Sequence, residues 1–307
     1  MKAIVNKNRR IRMTLLSLTL LTLTIVNLRA TEDTLILRQQ LLQIEYSIKN
    51  SGATSEELAQ LYNDGMLLAT SLYDGPKSLA YIDSAYSLQP NNVKYTLLRL
   101  TTYFQFAEPI DFYNLFMSTD LNKFDQRSKS FIYNLVGKYF LNIKDNKKAQ
   151  EWFNKACRLS KFDHIPFVEG LVLTCYFNEK YQKAIRFSNK VLKSEPKNVT
   201  SLVILSEIYF NQKKFDKSLS FINRAMEETN ILKLRTKRSF IYSALKMYDN
   251  AINDLNVCIQ EDPGNCEFYL YRGLISAFTG AKNDERNKDY RRAVNLGCTE
   301  AAKYITY

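Results

Sequence analysis

An all-α chain built from antiparallel helix hairpins is what this sequence predicts, and three observations carry that expectation. Its 307 residues hold only 9 Gly and 6 Pro, too few for the many tight turns of an all-β protein. Large apolar side chains recur at spacings of three and four, as in "YNLVGKYF" from Tyr133 to Phe140, which is the period of a helix with one buried face. Small residues return at Ala149, Ala184, Ser218 and Ala251, separated by 35, 34 and 33 residues. A fixed period near 34 is the mark of a repeat architecture. With 46% hydrophobic and 24% charged residues, the chain has ample material for a core.

Residues 1–30 stand apart. Lys2, Lys7, Arg9, Arg10 and Arg12 precede a 15-residue run without charge, Thr14–Leu28. A basic start, an apolar run shorter than the roughly 20 residues of a spanning helix, and a short polar exit read as a secretory signal peptide. Ala30 suits the position before a cut, whereas Leu28 is large where a small residue is preferred, so an uncleaved anchor through residues 14–28, a membrane tether, stays open. Six of the 43 Lys and Arg lie in this leader and no acid does, so 37 basic against 31 acidic residues leave +6 beyond it, instead of +12. That modest excess argues against a nucleic-acid partner. The densest basic run, "KLRTKR" from Lys233 to Arg238, reads as a solvated helical face.

Residues 31–58 predict one helix, with Leu35, Leu41, Leu42, Ile44 and Ile48 apolar, that caps the array or completes a degenerate hairpin. In the region 59–297, Gly137 sits mid-helix, where glycine costs about 0.5–1 kcal/mol relative to alanine. Twelve residues on stands Ala149, and the same interval separates Ser206 from Ser218 and Ser239 from Ala251. Two antiparallel helices approach closely only where neither is bulky, so each pair marks one hairpin and Gly137 is a packing residue. Pro90, Pro196 and Pro263 each follow a helical run and stop it.

These residues resemble the tetratricopeptide repeat, whose pattern W-x2-L-G-x2-Y, A-x3-F and P spans 34 residues. Tyr133, Val136, Gly137, Phe140, Ala149, Phe153 and Ala156 form the best copy, and Tyr269, Gly273, Tyr290 and Ala293 the last. The resemblance implies an α-solenoid of about seven hairpins over residues 59–297, with Ala184 and Gly273 in the same packing role, and a capping helix over 298–307. Asn91 to Asp125 departs from the pattern: Pro109 interrupts it and Phe112 stands where a small residue belongs, so that second helix must pack differently.

In such proteins the first helix of each hairpin lines a concave wall that holds a peptide or helix of a protein partner. Carried over by slot, the wall is Asn134, Lys138 and Leu141, then Glu169, Leu173 and Tyr176, then Val203, Glu207 and Phe210. Thr236, Phe240 and Ser243 follow, then Leu270, Leu274 and Ala277. This wall lacks the paired Lys and Asn set with which some members clamp a terminal carboxylate, which argues against chaperone-tail binding. The alternative is that these side chains pack against the neighbouring hairpin. In the last hairpin Cys266 opens the first helix and Cys298 follows the second, so an exported chain could bridge them, leaving Cys157, Cys175 and Cys258 as buried thiols.

Little in the sequence supports catalysis. One histidine, His164, reads as a loop residue, and no C-x2-C, G-x-x-x-x-G-K or G-x-G-x-x-G run occurs, so no cofactor or metal is expected. The carboxylates Glu108 and Asp111 are the one candidate pair, for a weak hydrolase or glycan site in the divergent segment. The expectation is therefore a non-catalytic adaptor in a bacterial envelope compartment, with its oligomeric state open.

Overall fold

The computed structural model describes residues 32–50 and 52–305; the signal-peptide assignment and the chain's last two residues lie outside them. Among the described residues every regular element is helical. No helix among them is long and apolar enough to cross a membrane. The chain forms two compact units, one ending at Asn178 and the other beginning at Glu179.

The first unit runs α1 (Glu32–Asn50), α2 (Ser55–Ser71), α3 (Gly75–Leu88), α4 (Val93–Phe106), α5 (Pro109–Ser118), α6 (Gln126–Asn142), α7 (Asn146–Leu159) and α8 (Ile165–Phe177). Helices α2 and α3 pair, as do α6 and α7, and each hairpin packs on the next helix in the chain. The second unit runs α9 (Tyr181–Ser194), α10 (Val199–Asn211), α11 (Phe215–Glu228), α12 (Leu232–Ala244), α13 (Tyr248–Glu261), α14 (Cys266–Ser276) and α15 (Asn283–Asn295). There α10 pairs with α11, α12 with α13 and α14 with α15.

Local chemistry sets the boundaries. Thr54 and Glu57 form a reciprocal capping box at the start of α2, and Asp74, Asp145 and Asn198 cap α3, α7 and α10 through their side chains. Pro90, Pro196 and Pro263 stand two residues beyond the ends of α3, α9 and α13. Hairpin turns reuse one backbone device: Lys144, Lys213 and Lys246 all take φ between 60° and 65°. After each, the next residue's N–H reaches back to a helical carbonyl at 2.8–2.9 Å: Asp145 to Phe140, Lys214 to Tyr209, Met247 to Tyr242. That is the left-handed helix stop usually given to glycine.

Packing around Gly137 differs from the small-against-small expectation. A Cβ there would lie 2.9 Å from the Phe153 ring, and one at Gly170 on α8 would lie 2.4 Å from the same ring. Phe153 is 1% exposed, wedged against two helices that have each given up a side chain. Gly273 does the same for Tyr290, at 2.6 Å. At Ser206 and Ser218 small does meet small: each hydroxyl donates to the other residue's carbonyl, at 2.9 and 2.8 Å, across α10 and α11.

The divergent hairpin is rebuilt with aromatics. Helix α5 has 10 residues where the other second helices have 13 or 14. Its Phe112 is buried against Phe104 and Tyr139, Tyr113 stacks on Tyr139 at 5.0 Å, and Phe116 meets Trp152 edge-on at 5.4 Å. The tail also differs from the expected capping helix: Thr299–Tyr304 is a short 3-10 turn that buries Ala301 and lays Tyr304 beside Tyr290. Cys266 and Cys298 are joined, with Cα atoms 5.6 Å apart, while Cys157, Cys175 and Cys258 are free and buried.

Candidate functional site

The wall residues divide sharply by accessibility. In the first unit Asn134, Leu141, Leu173 and Tyr176 are buried, and Lys138 and Glu169 are half-buried. Burial holds Lys138 below the usual lysine range, while the nearby Glu169 carboxylate pulls the other way. In the second unit Val203 and Leu270 are buried, while Glu207, Phe210, Phe240 and Leu274 stay half-buried. Thr236 and Ser243 are half-buried and Ala277 is exposed, so six of the fifteen carried-over residues are closed to a ligand. Helix α8 buries nine of its 13 residues, Leu173 and Tyr176 among them.

What remains reachable is best developed in the second unit, on α10, α12 and α14. Phe240 meets Tyr271 edge-on at 4.8 Å, and Phe210 tilts against Phe215 at 5.5 Å, so both half-buried rings are held from behind. Between them Lys237 pairs with Glu207. Burial pushes the Lys237 ammonium down to about 8, against which a paired carboxylate favours the charged form. The resulting surface is aromatic and aliphatic, with one internally neutralised ion pair.

"KLRTKR" is thus no solvated face. Leu234 is fully buried, Lys237 retains 12% of its side-chain exposure, and Arg238 forks onto Asp254 at 2.6 and 2.7 Å while also reaching Asn223 at 3.0 Å. One hairpin later Arg272 forks onto Asp289 at 2.6 and 2.9 Å and reaches Asn256 at 2.7 Å. Each arginine ties its own hairpin partner to the preceding hairpin, and Asp254 is 1% exposed. Reading by small and aromatic slots missed this ladder. Its signal was Arg238 and Arg272, 34 apart, with Asn223 and Asn256, 33 apart.

Glu108 and Asp111 both line an open cleft of about 640 Å³ in the first unit. Leu79, Tyr103, Phe106, Asn114 and Leu115 line it as well. Arg99 also lines it, bonded to Asp83 at 2.6 Å. His164 is an exposed residue at the start of α8, stacked on Phe167 at 4.1 Å. Among the described residues no group of three or more His, Cys, Asp or Glu is placed to hold a metal.

Residues 132–163, most of α6 and all of α7, match the family model of the tetratricopeptide repeat. Over 95 residues the chain is 30% identical to the heat shock protein STI1 of Saccharomyces cerevisiae, 30% of this chain but only 16% of that protein. Two solved structures share the fold at low identity. One is PilF of Pseudomonas aeruginosa, with TM-score 0.59 and 12% identity over 70% of this chain and 96% of that one. The other is a tetratricopeptide repeat protein of Parabacteroides merdae, with TM-score 0.58 and 14% identity over 80% and 98%.

Proposed function

We propose that this chain, an all-α solenoid carrying tetratricopeptide-repeat hairpins, is a non-catalytic scaffold that receives an apolar peptide or helix of a protein partner in the cell envelope. The observation that supports the binding mode is the surface of Phe210, Phe240 and Leu274 around the Lys237–Glu207 pair. Two rings supported from behind present apolar area at little cost in side-chain entropy, and a neutralised ion pair repels neither sign of ligand. Export rests on the composition of residues 1–30.

The test is capture of partners by the full chain from its host envelope after mild cross-linking, with its amino terminus sequenced from the same sample. Phe210→Ser with Phe240→Ser should abolish capture of a stoichiometric partner without changing the cooperativity of unfolding. Unchanged capture refutes the groove, and a bait recovered only from the cytosol refutes the location. A second reading rests on the cleft. Aromatic and aliphatic side chains lining it together with the carboxylates of Glu108 and Asp111 suit a glycan, and glycan turnover or binding lost in Glu108→Gln would establish it.

A further inference from the structure

Helix α1 carries a feature that partner binding leaves unused. Its inner side packs on the first hairpin: Leu41 is buried, and Glu45 accepts hydrogen bonds from Lys77 and Tyr81, both at 2.8 Å. Roughly a quarter to a third of a turn around the axis, Leu35, Leu42 and Tyr46 stand at i, i+7 and i+11, exposed by 59%, 63% and 70%. At 3.6 residues per turn these three side chains fall within about 40° of one another around the axis. An end element of a repeat stack is ordinarily polar on its outer face. A line of large apolar side chains there marks a contact surface.

The chain preceding α1 indicates the occupant. Its uncharged run Thr14–Leu28 ends three residues short of Glu32. Three residues span at most about 10 Å, so wherever that run enters a bilayer, α1 starts at the bilayer surface. Arg38 and Lys49 flank the stripe, with stems long enough to keep their charges among headgroups while the apolar residues sink. A tyrosine at the stripe's far end suits the same boundary.

We propose that Leu35, Leu42 and Tyr46 form a membrane-surface docking face, which lays α1 along the bilayer. The proposal goes beyond the scaffold reading and stands or falls separately from it. Its test uses the full chain with Met1 intact, mixed with phosphatidylcholine and phosphatidylglycerol vesicles carrying brominated acyl chains. Tyr46→Trp is compared with the parent, whose single tryptophan is Trp152. The added emission should shift to the blue and be quenched about twofold or more by the brominated lipid. Leu35→Glu with Leu42→Glu should restore water-like emission with the far-ultraviolet spectrum unchanged. Vesicle-bound protein whose introduced indole stays water-exposed overturns the proposal, as does quenching that survives both glutamates. Protein that does not float with vesicles overturns it too. Emission shielded from both water and lipid in a dimer overturns it in favour of a second copy on the stripe.

Discussion

Opening the Cys266–Cys298 bridge should loosen the last hairpin by an amount fixed mainly by the loop it closes. The two cysteines are 32 residues apart in sequence, and the chain-entropy relation for a loop of that length gives about 3.7 kcal/mol at 25 °C. The bridge joins the start of α14 to the residue that opens the 3-10 turn, and behind it Ala301 is fully buried. Because each hairpin of a repeat stack contacts only its neighbours, the loss should be concentrated in α14, α15 and the turn. Reduction, or Cys298→Ala, should then accelerate amide exchange there by up to about 500-fold, the equivalent of 3.7 kcal/mol. The urea midpoint of that hairpin should fall by more than about 1 M. Thiol labelling of the denatured chain should count three cysteines before reduction and five after. A change below about 1 kcal/mol in the reduced protein would refute loop entropy as the bridge's contribution. Five labels before reduction would remove the bridge altogether.

Gly170→Ala should destabilise by about 1–3 kcal/mol despite alanine's better helix propensity, because its Cβ meets the Phe153 ring; a second change, Phe153→Leu, should recover most of it in urea titrations. Arg238→Met should cost about 1–3 kcal/mol by leaving the buried Asp254 carboxylate with Arg235 alone, at 3.6 Å, and Arg238→Lys should recover only part, since an ammonium cannot make the fork. Lys213→Gly should stabilise by about 1 kcal/mol, read as a raised melting temperature, by relieving a left-handed backbone at a non-glycine residue. Folding lowers the Lys237 value to about 8 from 10.5. Between those limits the unfolded chain holds more protons and stability rises with pH, by about 1–3 kcal/mol; Lys237→Met should flatten that slope, and equal slopes would refute it.

Much of the fold was legible because the repeat is written in residues whose role does not depend on context. Prolines after α3, α9 and α13 act through the backbone beside them, so position alone identifies them. Gly137 was legible as a packing residue, but its partner was not: Phe153 lies 16 residues away, and only the folded chain shows that Gly170 faces the same ring. Phe112 signalled that the divergent hairpin could not pack like the others. The replacement, a set of rings drawn from α4, α5, α6 and α7, depends on contacts across helices that no local pattern encodes. The wall was half legible. Slots transfer which direction a side chain points, whereas exposure depends on how much of the whole helix is covered, and α8 buries nine of its 13 residues.

The charged ladder bears on what the second unit can bind. On α12, Leu234, Arg238 and Ile241 stand at i, i+4 and i+7, the side turned into the hairpin, and Arg238 is there tied to Asp254 and Asn223. Thr236, Phe240 and Ser243 share another side of the same helix. The guanidinium that fixes hairpin to hairpin is therefore directed away from the ring of Phe240, and Arg272 repeats the arrangement on α14. Charge is spent on register inside the stack, and the reachable rings are left with a single ion pair that cancels itself. A ligand selected by such a surface is chosen by apolar shape. Its binding by the wild-type chain should accordingly be almost insensitive to salt, whereas a surface working through Lys237 alone would lose affinity steeply as ionic strength rises. Glu207→Gln converts one case into the other, and equal salt dependence in wild type and variant would show that the pair takes no part in recognition.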